Sequence, residues 1–309
     1  MAGLRERLTG AGYVLGWSVV CRVPESWART AFRLCADFAW WRRGPKVQVL
    51  EGNLRRVIGS QAPCGQLRGL SRQAMRSYAR YWLEAFRLQV MSADRLAAGV
   101  HQTGHLRAAL ECLAVGRGVI FALPHMGNYE LVGAWVIARE TGSITVVAER
   151  LKPESVYRRF VAFREGLGME VLPASGGAQR FGILAQRLRA GHPIGLVCDR
   201  DLTGSGIEVE FFGEPARMMG GAAALAVQTG AALMPVIMWF EGDHWGVHVH
   251  PEIPVPAGGD RQQKAAAMMQ QLACLFEAGI RAHPQDWHML QRVFIADLDP
   301  GRPRHPAAS

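Results

Sequence analysis

The sequence predicts an α/β fold, an αβα sandwich in which a central, mostly parallel or mixed sheet is covered by helices on both faces and preceded by a helical N-terminal region. Three observations predict it. From about Gly116 short β-branched runs alternate with helical segments, the pattern of strands joined by crossover helices. The first hundred residues instead repeat apolar side chains at helical spacing. Between them, Val119 to Leu123 reads as a buried strand that turns almost at once into a helix. With 309 residues, about half of them apolar, the chain is long enough to bury a sizeable core.

Taken in order, residues 1–100 form a helical region in which Tyr13, Trp17, Trp27, Phe32, Phe38, Trp40 and Trp41 are interleaved with Arg22, Arg29, Arg33, Arg42 and Arg43. Indole rings sit at headgroup depth and guanidinium groups meet lipid phosphates, so this mixture suits helices that associate with a membrane interface; an ordinary amphipathic core pair fits equally. The apolar stretch Ala11 to Cys21 is too short to cross a bilayer, ends at Arg22 and Pro24, and lacks a small-residue cleavage site. Ser71 is the expected N-cap of a helix whose stripe Met75, Tyr78, Trp82 and Phe86 faces the core. Residues 101–300 form the αβα core, continuous with the first region. Its strands are expected at Val119 to Leu123, Ile144 to Ala148, Met169 to Leu172, Pro193 to Cys198, Leu233 to Trp239 and Val247 to His250. Gly204, Ser205 and Gly206 are expected to turn a hairpin before Glu208 to Phe212, and a long helix to run from about Asp260 to Ala282. Residues 301–309 are expected to be a disordered tail.

Lysine and arginine outnumber aspartate and glutamate 35 to 26, a formal charge of +9, so a polyanionic partner is expected: a bilayer, a phosphorylated small molecule or nucleic acid. The aromatics cluster on N-terminal helices and not on a strand platform, which weighs against single-stranded nucleic acid. The six cysteines have neither CxxC nor framework spacing, pointing to a reducing compartment and no zinc ribbon. His244, His248 and His250 have no acidic or cysteine partner at ligand spacing, so no metal is expected. No P-loop or complete GxGxxG is present.

The segment richest in chemistry is His125-Met-Gly-Asn-Tyr-Glu130, at the carboxyl end of the first core strand, where open α/β sheets bind ligands. Pro124, Gly127 and Asn128 supply a tight turn. Glu130, in the first turn of the following helix, is expected to reach back and fix the His125 tautomer, making the imidazole a general base. Without a GxSxG elbow, the hydroxyl it activates must belong to the substrate. Asp199-Arg200-Asp201 follows another apolar strand and is expected to converge on His125, or else to form a structural ion-pair network. Arg150, Lys152, Arg158 and Arg159 follow a strand end and open a helix, a place suited to phosphate or simply to a solvated helix face.

His125 to Glu130 matches the HX4(D/E) motif of glycerolipid acyltransferases, and the chain from about Ala11 to Leu298 resembles the bacterial late lipid A acyltransferase superfamily, particularly its phosphatidylinositol mannoside acyltransferase branch. The likeness includes Asn53-Leu-Arg-Arg-Val57, Ser77-Tyr-Ala-Arg-Tyr-Trp82, Leu123-Pro-His125, Val147-Ala-Glu149, Arg200-Asp-Leu-Thr203, Phe211-Phe-Gly-Glu-Pro215 and Asp286-Trp-His-Met-Leu-Gln291. It implies an enzyme that moves palmitoyl from acyl-CoA, as co-substrate and with no cofactor, to the 6-hydroxyl of the mannose on the inositol 2-position, bound peripherally at the cytoplasmic face of the cell membrane. It implies His125 as base, Glu130 as its carboxylate, Glu149 and Arg164 at the sugar and headgroup end, Asp199 and Arg200 beside the acceptor, and Arg150, Lys152, Arg158 and Arg159 at the coenzyme A phosphates. The chain departs from the family pattern in having glutamate at 130 where aspartate is usual and aspartate at 199 where glutamate is usual, so reach differs by a methylene at both. Another lipid-linked sugar or a lysophospholipid is the alternative acceptor, and a basic membrane- or nucleic-acid-binding module the alternative of another class.

Overall fold

The computed structural model describes residues 12–13, 15–150, 153–201 and 204–298. The predicted 301–309 tail and Lys152 lie outside the described residues. Helix α1 (15–22) leads into α2 (Glu25–Arg42), α3 (Pro45–Ile58) and α4 (Cys64–Arg87), which pack on one another around Leu50, Leu54, Leu67 and Met75. Proline starts three of these helices, Pro24 just before α2, Pro45 at the first position of α3 and Pro63 just before α4, where a missing N–H costs nothing. Pro63 corrects the expected start at Ser71: that residue lies inside α4, its hydroxyl bonded to Glu51 and accepting from the Trp40 indole.

The rest builds the predicted sandwich. After α5 (Ala93–Gly99), β1 (Val100–Gly104) and α6 (Leu106–Ala114) come β2 (Val119–Leu123), α7 (Tyr129–Val136), β3 (Ile144–Ala148), α8 (Glu154–Gly166), β4 (Met169–Pro173), α9 (Gly177–Arg189) and β5 (Pro193–Val197). A hairpin of β6 (Ile207–Phe211) and β7 (Glu214–Met218) is followed by α10 (Gly221–Thr229), β8 (Ala232–Glu241), β9 (His244–Val249) and α11 (Arg261–Ala282). The seven-stranded sheet has the order β1-β9-β8-β2-β5-β3-β4, parallel throughout except where β8 meets β9. One face packs against α9, α10 and α11 through Leu188, Leu225 and Met269; the other packs against α6 and α7 through Leu106, Leu131 and Trp135. Asp260 caps α11 in a reciprocal capping box with Gln263.

The hairpin turns after its first strand, not before it: Phe212 and Gly213 both adopt positive φ, the conformation a two-residue turn between twisted strands demands. The aromatic N-terminal stretch sorts into two groups. Trp17 is buried and Trp40 packs inward, whereas Trp27, Leu34, Phe38 and Trp41 share one exposed stripe of α2 beside exposed Arg33 and Arg42. Among the described residues no helix is long and apolar enough to cross a membrane.

Candidate active site

Strands β2 and β5 are parallel neighbours, Leu123 opposite Val197, and each hands a charged residue to the same edge of the sheet two positions after its end. The ladder runs one step further, from the Cys198 N–H to the Leu123 carbonyl at 3.0 Å. It leaves His125 and Asp199 facing each other. Asp199 is completely buried and accepts three hydrogen bonds: from the His125 ring at Nδ1 (2.5 Å to Oδ1), from the His125 backbone N–H (2.9 Å to Oδ2) and from the Trp287 indole (2.9 Å to Oδ2). Burial acts to raise the pKa of Asp199, but the facing imidazole and these donors hold it below the usual carboxylate range. An ionised carboxylate only accepts, so Nδ1 carries a proton, and in the neutral ring the lone pair is at Nε2. The His125 side chain is 21% exposed, and Nε2 makes no hydrogen bond among the described residues.

The turn that delivers the imidazole follows from its residues. Gly127 has a φ of 59°, and a Cβ there would meet the Met238 backbone at 2.7 Å, so no other residue fits without displacement. Asn128 caps α7, accepting from Leu131 N–H at 3.1 Å, while its amide donates to the buried Glu84 carboxylate at 2.8 Å. Glu84 also receives the Arg80 guanidinium and the Trp245 indole, which ties α4 to the turn.

The carboxylate that holds the imidazole is therefore Asp199, which corrects the expectation for Glu130. Glu130 points to α8, where Arg164 engages both its oxygens, with Tyr81 3.4 Å away. Burial acts to lower the pKa of Arg164, but the Glu130 charge raises it above the usual guanidinium value. Arg164 thus forms a buried pair with Glu130. Tyr129 accepts a hydrogen bond from Tyr81 at 2.7 Å; burial raises both phenols, so both stay protonated.

Glu149 and Arg200 meet at the same sheet edge, 3.3 Å apart, the carboxylate exposed and the guanidinium largely covered. Of the expected phosphate cluster, Arg150 and Arg158 share Glu154 and remain exposed, whereas Arg159 turns away to lie over the Trp17 ring. No group of acidic, histidine or cysteine side chains suited to a metal ion occurs among the described residues. Trp287 and Asp286 were not singled out as site residues; the Asp286-Trp-His block was visible in the sequence, but nothing local marks it as adjacent to His125.

Between α7 and the sheet lies a cavity of about 100 Å³ lined by Phe121, Leu123, Val132, Trp135, Val146 and Met238, with Tyr129, Glu130 and Arg164 forming its polar end. The Tyr129 ring stands edge-on to His125, 6.3 Å between centroids. A carboxylate-bound imidazole with an available lone pair, next to an apolar cavity at the strand ends of an αβα sheet, can deprotonate a hydroxyl beside a lipid chain.

The chain belongs to the bacterial lipid A biosynthesis acyltransferase family, whose model matches residues 4–295. It is 47% identical over 302 residues to the phosphatidylinositol mannoside acyltransferase of Mycolicibacterium smegmatis, covering 97% of this chain and 95% of that one. To the protein of the same description in Mycobacterium tuberculosis strain H37Rv it is 45% identical over 299 residues, 95% of this chain and 91% of the relative.

Proposed function

We propose that this chain is a phosphatidylinositol mannoside acyltransferase that moves a long acyl group, palmitoyl by preference, from acyl-CoA to the 6-hydroxyl of the mannose on the inositol 2-position. The observation that carries the proposal is the His125–Asp199 pair, set edge-on against Tyr129, which lines an apolar cavity. Identity of 45–47% over nearly the full length to relatives of that description supports the acceptor.

In this reading the acyl chain lies in the cavity beneath α7 and the thioester carbonyl comes to rest beside His125. The acceptor oxygen attacks the carbonyl carbon while its proton passes to Nε2. The tetrahedral species collapses, the carbon–sulfur bond breaks, and the imidazolium returns the proton to the departing sulfur. Asp199 stays ionised and stabilises the transient imidazolium. No acyl-enzyme forms, and no cofactor or metal takes part. Holding two amphiphiles together contributes much of the acceleration. Arg200 and Glu149 contact the acceptor, and Arg150 and Arg158, with Lys152 and Arg159 nearby in sequence, neutralise coenzyme A phosphates. The apolar stripe of α2, Trp27, Leu34, Phe38 and Trp41 flanked by Arg33 and Arg42, rests on the anionic cytoplasmic leaflet.

Mass spectrometry of products from purified protein, acyl-CoA mixtures and a choice of acceptors tests this. Monoacylation of phosphatidylinositol mono- and dimannosides is the expected result; acylation of a lysophospholipid with the mannosides untouched would overturn it.

A further inference from the structure

The segment Asp286-Trp287-His288 arrives from the far end of the chain and lies across the His125 turn as a short antiparallel strap. The Gly127 N–H donates to the Asp286 carbonyl at 3.0 Å, the His288 N–H donates to the His125 carbonyl at 2.8 Å, and Met126 and Trp287 form a β-bridge. The strap is itself fixed. Asp286, 2% exposed, accepts from the Ser77 hydroxyl of α4 at 2.6 Å and from the Phe240 N–H of β8 at 3.0 Å. His288 Nε2 lies 2.9 Å from the same hydroxyl. Trp287 has no exposed surface and is wedged against Phe211 and Phe212 of the hairpin. Its indole N–H ends on Asp199 Oδ2.

Among the described residues this is the one donor to Asp199 that His125 does not itself supply. A fully buried carboxylate needs its lone pairs met, and one held by its catalytic partner alone is free to rock with it. We propose that Trp287 is a positioning residue: its N–H fixes the Asp199 carboxylate so that Oδ1 faces Nδ1 and the imidazole stays in the tautomer with its lone pair at Nε2. The proposal rests on the reading of His125 as the base. Binding of the acyl donor makes no demand on it, so the loss falls on turnover.

Trp287→Phe removes the N–H but also volume from a tightly packed site. The decisive variant carries β-(3-benzothienyl)alanine at 287, in which sulfur replaces N–H and the ring size is kept. The expected result is an unchanged melting temperature, a kcat lower by about tenfold or more, as for a hydrogen bond lost to a buried charge, and KM for acyl-CoA and acceptor within about twofold of wild type. In ¹⁵N-histidine spectra, with His125 assigned by its loss in His125→Gln, the wild type shows Nδ1 protonated and the variant a mixture of tautomers. Wild-type kcat with an unmixed tautomer, or a rate loss explained wholly by unfolded protein, would overturn the proposal. The tautomer is read without substrate, so a wild-type protein that transfers no acyl group refutes the functional reading and leaves the positioning claim to be decided by the spectra.

Discussion

Replacing Asp199 by asparagine changes one charge and almost no volume, and the geometry dictates how the new amide must sit. Two donors, the His125 N–H and the Trp287 indole, converge on Oδ2, so the amide oxygen takes that position and the NH₂ is left where Oδ1 stood. That NH₂ faces Nδ1 at the 2.5 Å contact now made by a carboxylate oxygen. Nδ1 must then accept, the ring proton moves to Nε2, and the atom that should take the acceptor's proton already holds one. The expected loss is about 10³- to 10⁴-fold in kcat, the size seen when the carboxylate of a serine-protease base is made an amide, equivalent to about 4 to 5.5 kcal/mol of barrier. Acyl-donor KM should change little, because neither His125 nor Asp199 lines the cavity. Steady-state transfer of labelled palmitoyl to a phosphatidylinositol mannoside, measured on protein shown to be folded by its thermal melt, supplies the test. An Asp199→Asn variant within about threefold of wild-type kcat would refute the reasoning, because a base-inactivating tautomer flip cannot be that mild.

Three further outcomes follow from the same geometry. Glu130→Gln leaves Arg164 buried without its counter-charge, so the melt should show destabilisation of about 3–5 kcal/mol while His125 keeps its carboxylate; a stable but inactive Glu130→Gln protein would restore Glu130 as the orienting group. Burial, with the nearby His125, pushes His288 down to about 3 from 6.5. Between those values the unfolded chain binds more protons than the folded one, so stability falls as pH drops from 6.5, by about 1.4 kcal/mol per unit from this residue; Asp286, raised by burial, opposes it only at the acidic end. Denaturant titrations should show that slope reduced in His288→Gln, and an identical slope would contradict the assignment. A Cβ on Gly133 would meet the Met169 Sδ-methyl at 3.0 Å at the cavity wall, so Gly133→Val should move the palmitoyl-to-lauroyl ratio of kcat/KM by about tenfold toward the shorter chain; an unchanged ratio would place the acyl group elsewhere.

The sandwich was legible because its central strands are buried on both faces, and a run such as Val119 to Leu123 has little alternative to a strand. Strand β1 escaped because four of its five residues are exposed; it is defined by pairing with β9, not by its own pattern. The hairpin strand was found and its turn misplaced, since glycines at 204 and 206 outweighed Phe212, whose positive φ no local rule anticipates. At the site, His125 was found from its place after a strand. Asp199 meets His125 as its place after a strand predicts, but the orienting role was given to Glu130 for a physical reason: five residues of sequence bring Glu130 near, while the first turn of α7 aims it at α8 and β5 lies next to β2. Sheet order is not written in any local pattern. Trp287, 162 positions from His125, was beyond reach for the same reason.

The account's central claim is that Nε2 of His125 takes the acceptor's proton in a direct transfer. Rapid chemical quench with excess protein, labelled acyl-CoA and a phosphatidylinositol mannoside tests it most directly. Label should pass to the glycolipid at the rate free coenzyme A appears, with none retained on protein, and His125→Gln should slow both by about 10²- to 10⁴-fold. A protein-bound acyl group that chases into the acceptor, or a His125→Gln protein turning over near the wild-type rate, would contradict it.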